Sequence, residues 1–310
     1  SVMNVLITGG SGLVGQELQS LLSAGGHQVT ILTRSAKSRE GFRTWDPDAE
    51  EYDPAWFDGF DSVVHLAGEN IAGRRWTKSY KQKILSSRRD VTRKLATVLT
   101  RLEQPPRTLV SASAIGWYGD RGDELLTESS ARGNGFLAEV CEEWEQAANP
   151  ARDAGIRVVH PRIGVVLSPK GGALKKMLPI FKLGLGGVLG DGRQYMSWIG
   201  LDDLAGAIFH LLTDQSLTGP VNCVSPNPVT NREFTKTLGR VLSRPTILPV
   251  PGFMAKLGLG QMAEELLLSG ARILPEVLSQ SGYGFRSSNL EDCLRNQLGK
   301  PLTGVSAQKR

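Results

Sequence analysis

The stretch Thr8-Gly9-Gly10-Ser11-Gly12-Leu13-Val14-Gly15 constrains this chain more than any other. It follows the apolar run Val5-Leu6-Ile7 and leads into Glu17-Leu18-Gln19-Ser20-Leu21-Leu22, so it reads as strand, glycine turn and helix in that order. Glycines at 9, 12 and 15 allow backbone N–H groups to approach a pyrophosphate at a helix N-terminus. Gly9, Gly10, Ser11, Gly12, Leu13, Val14 and Gly15 are therefore expected to cradle a dinucleotide; the other reading is a glycine-rich turn that binds nothing. A second strand, Val29 to Thr33, follows Gly25-Gly26 and completes a βαβ unit.

Strand signals recur at Val5 to Thr8, Val29 to Thr33, Ser62 to Leu66, Thr108 to Ala112 and Val158 to Ile163, with helical patterns between most of them. That alternation is expected of a parallel sheet covered on both faces, an α/β doubly wound fold. At 310 residues, 40% hydrophobic and 22% charged, the chain is expected to be a soluble globular protein with a large core. No apolar run reaches the roughly 18 residues needed to span a bilayer, and the start reads as a strand rather than a signal peptide. Three cysteines without C-x-x-C spacing indicate neither a zinc site nor a disulfide framework, so no metal is expected and a reducing cytoplasm is the expected location. The net charge of +5 is densest in Arg74-Arg75 and Lys78 to Lys94, where it alternates with apolar residues at helical spacing. The expected partner is a small molecule, with no nucleic acid and no membrane; a homodimer stays open.

The second strand ends in Thr33-Arg34-Ser35, where an NAD-selective site would place an acidic residue. Arginine there can pair with a 2′-phosphate, which favours NADP; the alternative is a solvated basic loop. Asp61 to Gly68 reads as a strand ending in a small-residue turn that brings backbone beside the cofactor, with His65 a packed strand residue rather than a base. Arg88 lies inside the apolar stripe Ile84, Val91, Leu95 and Val98 of the following helix, so it needs an anionic partner, either a phosphate or a carboxylate. Ser113 stands at the carboxyl end of another strand, where open α/β sheets place ligands; its hydroxyl either holds a substrate oxygen or caps the turn.

Downstream, Leu174 to Leu185 reads as a helix with a break at Pro179, and Asp202 and Asp203 suit the N-terminus of the helix that follows Trp198. Two more helices are expected at Asn231 to Leu242 and Ala255 to Leu268. The sheet domain is expected over residues 1–168 with 196–222 returning to it, and a smaller C-terminal α/β substrate-side domain over 169–195 and 223–310. Met177, Phe181, Met196 and Trp198 suggest either an apolar pocket lining between the two or ordinary core.

These motifs, in this order, resemble the extended short-chain dehydrogenase/reductase family: Thr-Gly-x-x-Gly-x-x-Gly at 8–15, the Asp61 to Gly68 strand, Ser113 followed by Tyr118-Gly119, and Gly190-Asp-Gly-x-Gln194 running into Trp198 to Ala205. Ala67 to Ile71, Arg75-Trp76, Ser87-Arg88 and Gln194 to Ile199 are similar to an atypical branch of epimerase-family proteins. That branch ends in a short domain of unknown function, resembled here by Ser269-Gly270, Pro275 and Gly282 to Phe285. The resemblance implies an NADP-binding Rossmann fold. It implies cofactor contacts from Thr33, Arg34, Ser35, Leu66, Ala67, Gly68, Glu69, Arg88, Ser111, Ala112 and Val166.

The chain departs from that family where chemistry is decided. Active members carry Tyr-x-x-x-Lys some two dozen residues after the serine, but Gly133 to Trp144 contains neither residue. Met196 and Ser197 also replace the arginine and aspartate of the sugar-nucleotide loop. The expected function is an NADP-dependent oxidoreductase or epimerase of unknown substrate, with Ser113 orienting the reacting oxygen and Tyr118 or Glu139 moving the proton. The alternative is a non-catalytic NADP(H)-binding sensor or interaction protein.

Overall fold

The computed structural model describes every residue except 10–11, 36–38, 67–70, 73 and 304–310, together with the side chain of residue 259. Its strands are β1 (Asn4–Thr8), β2 (Gln28–Thr33), β3 (Phe42–Thr44), β4 (Ser62–His65), β5 (Thr108–Ser111), β6 (Ser113–Ala114), β7 (Leu125–Leu126), β8 (Arg157–Ile163), β9 (Val165–Leu167), β10 (Tyr195–Met196), β11 (Trp198–Gly200), β12 (Gly219–Cys223), β13 (Val229–Thr230) and β14 (Arg272–Ile273). The helices are α1 (Leu13–Ala24), α2 (Lys78–Thr100), α3 (Phe136–Gln146), α4 (Asn149–Asp153), α5 (Gly172–Lys182), α6 (Leu201–Thr213), α7 (Asn231–Leu242), α8 (Gly252–Leu259), α9 (Gln261–Leu266), α10 (Glu276–Gln280) and α11 (Leu290–Gln297).

Two compact units divide the chain, one of residues 1–117, 136–162 and 205–221, the other of 118–135, 163–204 and 222–310. Residues 118–135, 163–168, 196–204 and 222, assigned from sequence to the sheet domain, thus fall in the second unit. Strand pairing gives the reason, since β7 pairs with β14 and β9 with β11.

The main sheet has the order β12-β8-β5-β4-β1-β2-β3, with β6 beside β8. Every registered pair from β3 to β8 is parallel. Chain order reverses between β1 and β4, the arrangement expected of the doubly wound fold. Register explains why both faces are apolar. Leu6, Val63, Leu109 and Val158 are aligned partners on one face, buried against Leu95 and Leu99 of α2. Ile31, Ile7, Val64, Val110 and Val159 form the neighbouring row, which the strand's two-residue period turns to the other face, and it too is buried.

A polar link joins β1, β4 and α2 within this apolar sheet. His65 ends β4, and its Nδ1 lies 2.6 Å from Thr8 Oγ1 while its Nε2 lies 3.0 Å from Thr92 Oγ1 of α2. Thr8 Oγ1 also accepts the Leu66 N–H at 3.2 Å. His65 is the packed strand residue expected from sequence, and full burial lowers its pKa to about 4.

The second unit packs Leu174, Phe181, Trp198, Phe234, Leu238 and Leu294 into its own core, with Met177 and Met196 against it. Core, rather than pocket lining, is therefore where the structure places those aromatic and methionine side chains. Helix α5 runs through Pro179 to Lys182 instead of breaking there. The single helix expected at 255–268 is two, divided at Gly260, whose φ of 62° and ψ of −134° are outside the helical range. Asp203, in the first turn of α6 as expected, also anchors a distant segment. Its buried carboxylate accepts the Tyr283 hydroxyl at 2.8 Å and the backbone N–H groups of Arg286 and Ser287 at 2.8 and 3.0 Å. It thereby fixes the Gly282 to Phe285 segment.

Two outcomes follow. Asp203→Asn keeps the shape but removes the charge and turns amide donors toward backbone donors, so it should cost about 2–3 kcal/mol; an unchanged denaturant midpoint would contradict the anchoring role. For His65, the unfolded imidazole takes a proton near pH 6.5 that the folded one refuses until about pH 4. Its contribution is fully present above pH 6.5 and is lost as pH falls toward 4, by about 2–3 kcal/mol at pH 4.5. Buried His160, whose pKa is lowered chiefly by desolvation, adds a loss of the same sign. Unfolding free energies measured between pH 7 and 4.5 should show a shallower slope in His65→Gln than in the parent chain.

Candidate functional site

The carboxyl edge of the main sheet is where its polar groups emerge. Thr8, His65 and Ser111 are register partners that end β1, β4 and β5. Beyond them the chain turns at Gly9, Leu66 and Ala112. Gly9 has φ of 70°, a left-handed conformation that a side chain disfavours. Its carbonyl accepts the Gly12 N–H at 3.1 Å, closing the turn, and a Cβ on Gly12 would stand 3.3 Å from that carbonyl. Gly12 is the N-cap of α1 and brings no side chain to satisfy the first-turn N–H groups, including those of Leu13 and Val14. Gly15 is buried on the inner face of the helix. The described part of this turn fits a pyrophosphate; Gly10 and Ser11 lie outside the described residues, as do Ala67, Gly68 and Glu69 of the turn after β4.

At the end of β2, Thr33 accepts the Trp45 N–H through its carbonyl at 3.0 Å, and Arg34 and Ser35 are exposed. Arg34 Nη1 meets Asp48 Oδ2 at 2.8 Å, with both side chains about two thirds exposed or more. An exposed pair of this kind contributes about 0–1 kcal/mol, so a phosphate can displace it readily. Leu66 donates its N–H to the Thr8 carbonyl at 3.2 Å, and Ala112 donates to the His65 carbonyl at 3.0 Å. Ser111 is fully buried, and its hydroxyl has no hydrogen-bond partner among the described residues. Arg88 places its guanidinium 5.0 Å from the Trp144 ring and donates to the Ile84 carbonyl at 3.3 Å. Val166 belongs to the second unit, where it is aligned with Ile199.

Two to three strand spacings from the glycine turn, roughly 10–15 Å, the first unit holds a charged pair beside Ser113 that sequence reasoning missed, Glu145 and Arg162. Ser113 donates its hydroxyl to Glu145 Oε2 at 2.6 Å. Arg162 grips the same carboxylate with two bonds, Nε to Oε2 at 2.9 Å and Nη2 to Oε1 at 3.0 Å. The guanidinium of Arg162 also stacks 3.7 Å from the Trp117 ring centroid. The Arg162 and Glu145 side chains are only 3% and 13% exposed, so the pair lies in a low-dielectric setting where a matched geometry counts.

Helix α3 presents these groups because Cys141 and Glu145 are one turn apart on one face. The Cys141 thiol reaches the Ala114 carbonyl at 3.5 Å while Glu145 takes Ser113, so successive turns meet successive residues of β6. Burial, reinforced by Glu145, pushes the Cys141 thiol up to about 12, which makes it a packing group rather than a nucleophile. His160 sits nearby with Nδ1 3.0 Å from the Ser111 carbonyl; because a carbonyl only accepts, that nitrogen carries the proton.

The two proton-transfer residues expected from sequence stand elsewhere. Tyr118 is fully buried in the second unit and donates its hydroxyl to Asn222 Oδ1 at 2.7 Å. Asn222 in turn donates to the Leu274 carbonyl, so the phenol belongs to a structural network. Glu139 is an exposed residue in the first turn of α3, where its charge complements the helix dipole. The signal that could have found the cluster was Arg162 itself, a cation inside the strand run Val158 to Ile163 that needed a buried anion.

Comparison with known proteins agrees with this architecture. The NAD dependent epimerase/dehydratase family model matches residues 5–223, and a domain of unknown function, DUF1731, matches residues 250–297. The epimerase family protein MT2273 of Mycobacterium tuberculosis is 41% identical, with 96% of this chain and 98% of that protein covered. The crystal structure of human epimerase family protein SDR39U1 (isoform2) with NADPH superposes with a TM-score of 0.88 at 35% identity, covering 96% of this chain and 99% of that one. The crystal structure of a nucleoside-diphosphate sugar epimerase from Corynebacterium glutamicum gives a TM-score of 0.82 at 39% identity, covering 100% of this chain and 61% of that one. With a family model over most of its length and such relatives along nearly all of it, the chain belongs to the NAD dependent epimerase/dehydratase family.

Proposed function

We propose that this protein binds NADP(H) along the carboxyl edge of its main sheet and uses it as an oxidoreductase or epimerase on a small molecule, with Ser113 and Glu145 in place of the family's tyrosine and lysine. The observation that carries this reading is that the Gly9 turn and the Ser113–Glu145 pair occupy the same edge of one sheet. NADPH in the human relative's crystal structure supports the cofactor, as does the exposed Arg34 placed for a 2′-phosphate.

The dinucleotide, when bound, supplies or accepts the hydride. Ser113 donates its hydroxyl hydrogen bond to Glu145, so its oxygen keeps lone pairs able to accept a hydrogen bond from a substrate hydroxyl. As that hydroxyl becomes a carbonyl, its proton passes to Ser113 Oγ while the serine proton moves to Glu145 Oε2; in the reverse direction both return. Arg162 holds the carboxylate in the orientation this relay needs. Tyr118 and Glu139 are not assigned the proton, because one is enclosed in a structural network and the other faces solvent.

A second reading, an NADP(H)-binding sensor without turnover, is favoured by one observation: Ser113 is only 1% exposed. A panel of aldehydes, ketones and quinones offered to the protein with NADPH separates the two, since tight binding without oxidation of NADPH supports the sensor.

Arg34→Ala should weaken NADPH at least about tenfold and leave NADH unchanged, as expected for loss of charge-assisted bonds of roughly 1.5–3 kcal/mol; equal losses for both in fluorescence titration would remove the NADP preference. Glu145→Gln should lower turnover about a hundredfold with NADPH affinity little altered. It should also cost about 3 kcal/mol of stability by stranding Arg162. Adding Arg162→Met should recover most of that stability without recovering turnover, which separates a chemical role from a structural one.

A further inference from the structure

The second unit carries an apolar, cationic face that the proposed chemistry does not use. Segments 182–190 and 244–250 run side by side: Arg244 Nε donates to the Lys182 carbonyl at 2.9 Å, Val250 N–H to the Val188 carbonyl at 2.9 Å and Gly190 N–H to the Val250 carbonyl at 2.8 Å. Gly187 approaches the Leu248 carbonyl so closely that a Cβ would overlap it, which holds the two segments together. The second segment continues directly into α8.

Ten large apolar side chains stand exposed among the described residues, and eight of them fall in 180–185 and 247–257. Leu183, Ile247 and Leu257 are 74%, 78% and 76% exposed, and Phe253 is 67% exposed. Such a concentration is unlike the scattered single apolar residues of an ordinary surface. The charge pattern is equally one-sided. Residues 169–190 and 234–263 together contain eight lysines and arginines and no aspartate or glutamate. Arg240 is taken by Glu291 and Lys236 by Thr246, and Arg244, though exposed, donates to the carbonyls of Lys182, Leu242 and Ser243, whereas Lys182 and Lys256 stand exposed within the apolar face.

We propose that this face docks on the surface of an anionic phospholipid bilayer. An interfacial surface combines apolar groups that enter the acyl boundary with lysines and arginines that reach the headgroup phosphates. Both parts are present in adjacent residues. A second copy of the chain is disfavoured because two faces carrying exposed Lys182 and Lys256 would be brought together. Side chains that stand three quarters exposed suit a fluid bilayer, which needs no shaped counterpart. No membrane was expected from sequence because no segment is long enough to span, and no helix among the described residues is long and apolar enough to cross a membrane; docking in the interfacial plane requires no span.

Flotation of the full chain with vesicles tests this independently of any cofactor or substrate. The chain should float with mixed phosphatidylcholine–phosphatidylglycerol vesicles and not with phosphatidylcholine alone. Combined Lys182→Glu and Lys256→Glu should weaken binding at least about tenfold, as should high salt. Combined Leu183→Ser, Ile247→Ser and Leu257→Ser should abolish it, with parent-like thermal unfolding confirming that both variants fold. Failure of the parent chain to float with the mixed vesicles, or equal flotation of parent and variants, overturns the proposal. A concentration-dependent dimer that Leu257→Ser dissociates overturns it in favour of a second copy.

Discussion

Burial of both faces of the parallel sheet is the constraint on which the first unit depends. The aligned rows through Leu6 and through Ile7 leave no room for water on either side of β1, β4 and β5. Polar groups are therefore confined to strand ends or must be satisfied inside. Thr8, His65 and Thr92 are the internal solution, joining two adjacent strands and α2 through one imidazole that burial keeps neutral. The glycine turn lies at the carboxyl edge instead, since a parallel sheet gathers its βα turns there, and Ser113, buried close to that edge, is satisfied by Glu145.

At that edge, the helix that carries tyrosine and lysine in the active enzymes resembled here carries a cysteine and a glutamate. Cys141 serves packing. Glu145 is held from two sides, by a hydroxyl and by a bidentate guanidinium that itself lies on an aromatic ring. A carboxylate this buried is tolerable only with a matched cation, so Ser113, Glu145, Arg162 and Trp117 stand or fall together. Their mutual dependence makes the geometry rigid, which suits the short proton transfer proposed for Ser113 and Glu145.

The second unit relies on a different device. Its strand pairings are only two or three residues long, and buried polar groups fix what those short ladders do not. Asp203 holds the Gly282 to Phe285 segment. Glu128 accepts the Asn222 and Val277 N–H groups at 3.0 and 3.2 Å, and its own pKa is raised by burial. With the core anchored in this way, α5, α8 and the loops beside them are free to display apolar side chains outward.

Much of the fold was legible in the sequence because periodicity and glycine spacing are local. Five strands of the main sheet, β1, β2, β4, β5 and β8, and the described part of the turn after β1 follow from backbone sterics and two-faced burial, which any contiguous stretch reports, whereas β3 and β12 were not marked. The reach of helices was less legible: Pro179 was accommodated within α5, while Gly260 divided what apolar spacing had joined. The candidate site was half legible. Ser113 and Arg34 sit at strand ends that the pattern marks, but Glu145 acquires its meaning from Arg162, 17 residues away, and from Ser113, 32 residues away. Tyr118 drew attention through its neighbours in sequence, yet its hydroxyl is claimed by Asn222, 104 residues on. The sequence by itself determined a doubly wound sheet with a glycine turn after its first strand, since those depend on nearest neighbours along the chain. Only the tertiary structure decided which carboxylate faces the serine and which phenol is enclosed, because burial and ion pairing are set by residues that meet across the fold.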